Sequence, residues 1–287
     1  MGIDYHAAQF LRYTAKNSRL GRVGTIGRQS LDISEERLRK LMNLPAQYKH
    51  EHFVDNLLVE HLGATDVESF DNSNYEGANH IEDLSKPLSK EYNRYDTVID
   101  FGCLEHIYNI PQAFKNVSEL CREGGQILHK LPANNLCGHG FWQFSPELFF
   151  SLYSEENGYS GTQVFLTDGA REDIWYEVTK PHDGQRIELN CLARLDVLCR
   201  TRKVAKISHD RVQQSDYVYV WDKNSAGNVA AEETPDPPQN KSRRPVRRGS
   251  LSRMVNLARY VRANLKGDLS IRGNPRDITK RPISTLV

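Results

Sequence analysis

An α/β fold with a mostly parallel central sheet and helices on both faces is predicted by three observations. Residues 95–101 (YDTVIDF) are rich in β-branched and apolar residues, as in a buried strand. Over 104–121, apolar residues recur at three- and four-residue steps, which predicts a helix that Gly124 and Gly125 would end. A second apolar run follows at 126–131. Strand, helix and strand in direct succession predict a βαβ unit whose two strands are parallel neighbours.

Further strands and helices are predicted before this unit. Hydrophobic periodicity and β-branched runs, interrupted by Pro45 and Gly63, predict helices at 4–17, 34–42 and 48–62 and strands at 22–27, 67–70 and 79–84. The alternation of strands and helices is typical of an α/β protein.

The second half of the chain adds one helix and four strands. Ser145 and Pro146 suit the N-cap and the first position of a helix at 148–153. Strands are predicted at 162–166, 175–178, 193–201 and 217–221. The last three are expected as antiparallel additions at one edge of the sheet.

The charge distribution divides the chain. From Lys241 onward there are thirteen Lys or Arg and two Asp, a net +11, which leaves 25 basic and 35 acidic residues, a net −10, for the rest. Residues 224–250 are rich in Pro, Arg, Ser and Asn and cannot bury a core, so a disordered linker is predicted there. The predicted organisation is a globular domain at 1–223, this linker, and a basic tail at 251–287.

The tail carries one further pattern. Residues 251–266 have an apolar stripe at helical spacing, which predicts a short amphipathic helix. Docking of this helix on a protein surface, or disorder, is the default expectation. A basic helix can also contact an anionic membrane surface or nucleic acid.

Composition favours a cytoplasmic protein. No run approaches the roughly 18 apolar residues of a transmembrane helix, and the first residues lack the apolar region of a secretory signal. The five cysteines are odd in number and include no C-x-x-C pair, which indicates reduced thiols and no structural zinc site. The oligomeric state cannot be read from the sequence.

Two motifs carry a resemblance to a known family. Residues 96–106 read D-x-V-I-D-x-G-x-L-E-H, followed by a predicted helix and by R-x-G-G-x-I-L at 122–128. This pattern resembles the second half of a class I S-adenosylmethionine (SAM) dependent methyltransferase. Residues 134–149, NNLCGHGFWQFSPELF, are similar to a bacterial small-molecule subgroup of that family. The resemblance implies a Rossmann-like fold with SAM as cofactor, in which 95–101 and 126–131 are the fourth and fifth strands.

The first part of the cofactor site implied by the resemblance follows strands one and two. The loop after strand one is Gly27, Arg28 and Gln29, with one glycine where the family has G-x-G-x-G, which leaves retention of SAM binding open. Arg28 or Gln29 would then bind the methionine carboxylate. Asp71 at the end of strand two would bind the ribose hydroxyls, or alternatively it caps the turn-prone run 71–74.

The remaining implied cofactor contacts follow strands three and four. Asp83, with Leu84 beside it, would bind the adenine amino group, although Asp83 suits a turn equally well. Asp100, Gly102 and Glu105 would line the cofactor after strand four.

Three residues are candidate bases for a hydroxyl acceptor, namely His106, His139 and Asp100. The alternative for His106 is that it covers the sheet edge. In some ubiquinone-type members of the family, a further Glu joins the Glu-His pair in binding a divalent metal. Gly102 occupies that position here, so no metal site is predicted.

The acceptor is expected to bind against the glycine-rich, aromatic loop after strand five. His139, Phe141 and Gln143 are its candidate contacts. The alternative for Phe141 and Phe144 is packing over the sheet edge.

The predicted function is SAM-dependent methylation of a small-molecule or saccharide acceptor, at oxygen. One alternative is an inactive methyltransferase-like scaffold or partner subunit, which the altered first loop favours. A nucleic-acid methyltransferase using the basic tail is a third possibility. That class has N-P-P-Y or D-P-P-Y after strand four, whereas residues 100–103 read D-F-G-C.

Overall fold

The computed structural model describes residues 2–187, 189–191, 193–207, 209, 212–227, 272–273 and 277–286. Its helices are α1 Tyr5–Asn17, α2 Glu35–Met42, α3 Asp55–His61, α4 Ile110–Leu120, α5 Pro146–Leu152 and α6 Ser215–Gly227. Its strands are β1 Gly21–Ile26, β2 Ala64–Asp71, β3 His80–Ile81, β4 Tyr95–Phe101, β5 Cys121–Asn134, β6 Tyr159–Asp168, β7 Ile174–Val178, β8 Leu189–Asn190, β9 Leu195–Lys203, β10 Arg272–Gly273 and β11 Ile278–Pro282. Single 3₁₀ turns lie at Leu104–His106, Glu155–Asn157 and Ile283–Thr285.

Nine of these strands form one sheet in the order β11-β7-β6-β9-β5-β4-β1-β2-β3. Strands β1 to β5 are paired in parallel, whereas β9 is antiparallel to both β5 and β6. Strands β7 and β11 continue the sheet in antiparallel fashion. The chain runs from β1 outward to β3 and then crosses back to β4, so the order reverses between β1 and β4. This confirms the predicted Rossmann-like α/β fold with antiparallel additions at one edge.

The predicted βαβ unit is confirmed, with β4 and β5 parallel and Val98 opposite Ile127. Its helix, however, begins at Ile110 and not at 104, after the 3₁₀ turn. Pro111 explains the difference, because proline is favoured in the first turn of a helix and breaks the interior. Strand β5 begins at Cys121, before the glycines predicted to end the helix.

Two hydrophobic clusters cover the two faces of the sheet. Consecutive strand residues alternate between them, so Val98 and Ile127 belong to one cluster and Ile99 and Leu128 to the other. Helices α4 and α5 contribute to the first cluster, and α1, α2 and α3 to the second. The central strands are therefore buried on both faces, as in other parallel sheets.

Glu68, in the middle of β2, joins four strands. The Arg22 guanidinium of β1 lies 2.8 Å from its carboxylate, and His80 Nε2 of β3 lies 3.0 Å away. Tyr95 of β4 and Arg94 donate further hydrogen bonds to it. Burial tends to raise the pKa of Glu68, but these hydrogen bonds and the charge of Arg94 outweigh burial and lower it to about 2.

Two predicted elements differ from the structure. Residues 217–221 lie in α6, not in a strand, although Tyr-Val-Tyr-Val-Trp has high β-propensity. That propensity depends on packing, and Tyr217 and Trp221 are about half exposed. The predicted helix at 48–62 is also shorter, because only α3 is helical.

The end of the chain contributes to the sheet, although the sequence placed it in a separate tail. Strand β11 pairs with β7 through Ile278–Pro282, and Ile283 is buried in the second cluster. Most of the predicted linker and the predicted amphipathic helix at 251–266 lie outside the described residues. No helix within the described ranges is long and apolar enough to cross a membrane.

Candidate cofactor and acceptor site

The carboxyl ends of β1, β2 and β4 meet where the strand order reverses. Ile26 at the end of β1 is aligned with Phe70 of β2 and with Asp100 of β4. Ligands of open α/β sheets bind in the crevice at this position. The chain leaves β1 through Gly27, which has φ +67° and donates its N–H to the Phe70 carbonyl at 2.7 Å. This positive φ favours glycine.

Arg28 extends from this turn but is already engaged. It donates a hydrogen bond to the Glu76 carbonyl at 2.9 Å, and its guanidinium lies 4.0 Å from the centre of the Phe53 ring. Its Nε lies 3.7 Å from Asp55 Oδ1. Arg28 is partly exposed at the edge of the crevice, so it stays the candidate partner of a ligand carboxylate.

Gln29 does not face the crevice. It is fully buried, and its amide nitrogen donates to the Ile26 carbonyl at 2.7 Å. Its backbone carbonyl accepts the Val54 N–H at 3.0 Å. The predicted contact of this side chain with a methionine carboxylate is therefore corrected, because the amide holds the loop together instead.

Asp71 and Asp83 differ in how much of each carboxylate is already used. Asp71 Oδ1 accepts the Ser73 N–H at 3.0 Å, and Oδ2 has no hydrogen bond within the described ranges. Asp83 Oδ1 accepts from the N–H and hydroxyl of Ser85, and Oδ2 lies 2.8 Å from Lys86 Nζ. The Lys86 and Ser85 contacts lower the pKa of Asp83 to about 2. Asp83 is thus engaged as a turn residue, whereas Asp71 has an oxygen available to a ligand.

Leu84, the other predicted adenine contact, is buried in the core. It is 5% exposed, and its carbonyl accepts a hydrogen bond from Asn116 at 2.9 Å. The assignment of Asp83 and Leu84 to the adenine stays a prediction.

Asp100 is fully buried and both of its oxygens have partners. Oδ1 accepts the N–H groups of Cys103 at 3.1 Å and Leu104 at 3.3 Å, and Oδ2 lies 2.8 Å from His129 Nδ1. His129 Nε2 in turn lies 2.6 Å from the Tyr153 hydroxyl. This geometry contradicts a role for Asp100 as base, because an acceptor cannot reach it. It instead fixes the turn after β4.

Three carboxylates surround the turn after β4. Gly102 has φ +89°, and a Cβ there would lie 3.4 Å from Glu105 Oε1. Burial, followed by the negative charges of Asp100, Glu105 and Asp71, raises the pKa of the Cys103 thiol. Asp100, Glu105 and Asp71 thus all act on the same buried thiol.

Glu105 meets two histidines at the rim of the crevice. Its side chain is 1% exposed, and Oε1 lies 3.2 Å from His139 Nε2 and 3.8 Å from His106 Nε2. Burial, followed by the charge of Asp100, raises the pKa of Glu105 to about 8. Burial and His139 lower the pKa of His106. Both imidazoles are about half exposed.

The loop after β5 is held against this turn by backbone contacts. The Glu105 carbonyl accepts the Phe141 N–H at 2.7 Å, and the Ile107 carbonyl accepts the indole N–H of Trp142 at 2.9 Å. Gly140 has φ +72°, and a Cβ there would lie 2.7 Å from the Glu105 carbonyl oxygen. Only glycine fits this close approach of the two segments.

Aromatic rings beside the histidines are open to solvent. Phe141 is 69% exposed and Tyr108 79% exposed, with ring centroids 6.4 Å apart. Phe144 is buried, as the packing interpretation expected. Gln143 accepts the Leu136 N–H at 2.9 Å and so stabilises the loop. Phe141 and His139 are therefore better placed than Gln143 to contact an acceptor.

A cavity of about 760 Å³ opens beside the carboxyl end of β5. Its lining includes Asn134, Glu147, Leu148, Arg186 and Leu189. It offers a second space for an acceptor of small-molecule size.

The sequence analysis did not predict the contact of His129 with Asp100, or the contacts of Glu105 with two histidines. His129 is aligned with Asp100 in the register of β4 and β5, and that pairing is the signal that could have revealed it. Glu105 and His139 are 34 residues apart, and only the closure of the loop brings them together.

Comparison with known proteins gives limited similarity. No protein-family model and no curated protein matches the chain. The YcgJ protein of Bacillus subtilis is 11% identical over 70% of this chain and 99% of that one, with a TM-score of 0.39. The N-methyltransferase NodS of Bradyrhizobium japonicum is 13% identical over 69% and 93%, with a TM-score of 0.36.

A third solved structure is the 1,6-didemethyltoxoflavin-N1-methyltransferase of Burkholderia thailandensis, with S-adenosylhomocysteine bound. It is 14% identical over 70% of this chain and 78% of that one, with a TM-score of 0.38. Scores at this level do not by themselves assign a family or an activity to this chain.

Proposed function

We propose that this protein is a SAM-dependent methyltransferase that transfers a methyl group to an oxygen of a small-molecule or saccharide acceptor. The observation that carries the proposal is the crevice between β1 and β4. It lies at the reversal of strand order and presents Gly27, Asp71 and the turn after β4 on one edge. Asp71 and Asp100 place carboxylates near this edge, which suits a cationic sulfonium.

In the proposed site, Asp71 binds the ribose hydroxyls through its available oxygen, and Arg28 binds the methionine carboxylate. The turn from Gly102 to Glu105 lies beside the sulfonium. Methyl transfer is an in-line displacement, so the protein mainly aligns the acceptor with the methyl group. The acceptor oxygen bonds to the methyl carbon as the carbon–sulfur bond breaks, and S-adenosylhomocysteine leaves.

A hydroxyl acceptor must also lose a proton. His139 is the proposed base, with His106 as the other candidate, because both rings are half exposed at the rim and can reach an acceptor. Glu105 orients His139 through the 3.2 Å contact. The exposed ring of Phe141 would support a flat or cyclic acceptor.

The cofactor assignment is tested by calorimetric titration with SAM and with S-adenosylhomocysteine. We expect micromolar binding that weakens about 10- to 150-fold in Asp71→Ala, because hydrogen bonds to a charged group contribute about 1.5–3 kcal/mol each. Asp66→Ala is the matched control, since Asp66 lies on the same strand and is half exposed. Equal affinity in both variants would exclude the ribose role of Asp71.

An inactive scaffold is the second candidate function. It is favoured by the single glycine after β1 and by the internal contacts that already engage Arg28. Absence of binding of both SAM and S-adenosylhomocysteine to folded protein would support the scaffold.

A further inference from the structure

Glu105, His106 and His139 form a cluster of potential metal ligands. One carboxylate oxygen and two imidazole nitrogens, one from each residue, all lie within 4.8 Å of one another. Ligand atoms about 2.1 Å from a tetrahedral ion lie roughly 3.4 Å apart. The 3.2 and 3.8 Å separations from Glu105 Oε1 to the two Nε2 atoms bracket that value.

The second oxygen of Glu105 points to a missing partner. Oε2 is buried and has no hydrogen bond within the described ranges, although the side chain is only 1% exposed. The ion pairs of Glu105 recorded there are both with histidines. A buried carboxylate is costly unless a cation or hydrogen-bond donors satisfy it, and a cation held by Oε1 would neutralise the charge that this carboxylate shares with Oε2.

Backbone contacts join the two segments that carry the cluster. The backbone carbonyl of Glu105 accepts from Phe141, and Gly140 lets the loop approach the 3₁₀ turn. His106 and His139 are about half exposed, so the side of the cluster opposite Glu105 is open. Three protein ligands with an open position are the arrangement of catalytic metal sites.

We propose that Glu105, His106 and His139 bind one divalent transition-metal ion, with Zn²⁺ or the similar Co²⁺ as the expected class. Two imidazoles and one carboxylate favour such ions over Mg²⁺ or Ca²⁺, which prefer oxygen ligands throughout. Gly102 offers no side-chain ligand, and His139 from the loop after β5 supplies the third ligand instead.

The ion would complete the acceptor site. A hydroxyl at the open position is acidified by coordination, so its proton passes to solvent and its oxygen attacks the methyl group. With metal bound, coordination replaces proton abstraction by His139. This role rests on the proposed methyl transfer, whereas binding of the ion does not.

The test is titration of the full chain with Co²⁺ after removal of metals by a chelator, followed by calorimetry and visible absorption. We expect one Co²⁺ per chain, with a visible absorption spectrum typical of an ion of low coordination number. His139→Ala and Glu105→Gln should each weaken binding at least tenfold. His182→Ala is the matched control, because His182 is exposed and pairs only with Asp183 among the described residues.

Absence of stoichiometric Co²⁺ binding, or equal binding by wild type, His139→Ala and Glu105→Gln, would overturn the proposal. Far-ultraviolet circular dichroism and thermal unfolding of each variant show whether a loss reflects unfolding. Binding of S-adenosylhomocysteine is measured in parallel. Cofactor binding without Co²⁺ binding contradicts the metal site alone, and Co²⁺ binding without cofactor binding contradicts the methyltransferase assignment alone.

Discussion

Gly140→Ala tests whether the loop after β5 must pack against the turn that carries Glu105. Gly140 has φ +72°, where a residue with a Cβ is disfavoured by about 1–2 kcal/mol. The new Cβ would also lie 2.7 Å from the Glu105 carbonyl oxygen and from Glu105 Cγ, so one segment must move. Together the two effects should disfavour the closed loop by about 2–3 kcal/mol.

The expected result is separation of His139 from Glu105 without general unfolding, because the loop is exposed and the sheet beneath it is not. A change of about 2–3 kcal/mol corresponds to a loss of roughly 30- to 150-fold in any property that needs the closed loop. Co²⁺ affinity and transfer rate should fall by that factor. The free energy of unfolding measured in urea should change less than Co²⁺ affinity, because the loop opens before the core unfolds.

Gly138→Ala is the matched control two residues away. No heavy atom lies within 4 Å of a Cβ at Gly138, so the substitution should be nearly neutral. If the two alanine variants matched each other in Co²⁺ affinity, transfer rate and stability, the close approach at Gly140 would have no functional consequence. The proposal that the site requires the loop to pack against the turn carrying Glu105 would then be refuted.

Three further predictions concern stability. The lowered pKa of Glu68 contributes stability that is present above its unfolded pKa of about 4.3 and is lost as the pH falls toward 2. The urea midpoint of Glu68→Gln should therefore depend less on pH between pH 5 and 2 than that of the wild type. Tyr153→Phe should destabilise by about 1–3 kcal/mol in urea unfolding, because it leaves buried His129 Nε2 without its 2.6 Å partner. Ile283→Ala should cost about 2 kcal/mol in the same assay, because Ile283 is 5% exposed in the core.

Each of these has a control of the same chemistry at an exposed position. Glu60→Gln, Tyr75→Phe and Ile81→Ala change side chains that are 64%, 89% and 54% exposed. These controls should stay within about 0.5 kcal/mol of wild type. A stability loss in Ile283→Ala no larger than in Ile81→Ala would mean that the end of the chain does not belong to the folded core.

The centre of the fold was predictable because its signals are local. The apolar run at 95–101 and the helical period after it depend only on neighbouring residues, and the parallel pairing then follows from chain direction. The prediction of a strand at 217–221 is wrong because a segment of high β-propensity forms a strand only where it can pair with the edge of a sheet. Strand β11 was not predicted because its pairing partner, β7, lies about a hundred residues earlier in the chain and leaves no local signal.

The site was predictable only in part. Residue type and position after a strand single out both Asp71 and Asp83. The ribose role of Asp71 stays a prediction, and contacts with Ser85 and Lys86 leave less of the Asp83 carboxylate for the predicted contact with adenine. Glu105 and His139 can be read from the sequence, but the distance between their side chains cannot. That separation depends on how the loop closes, which no local pattern encodes.

The pairing of β11 with β7 changes what the basic stretch of the chain can do. Residues 228–271 hold nine Lys or Arg, and they connect α6 to strands β10 and β11. The stretch thus lies between two described elements, α6 before it and β11, which pairs with β7, after it. A ligand of this stretch is therefore held at high effective concentration near the folded part of the chain. A single proteolytic cut within residues 228–271 would leave a nicked protein whose C-terminal fragment stays paired with β7 through β11.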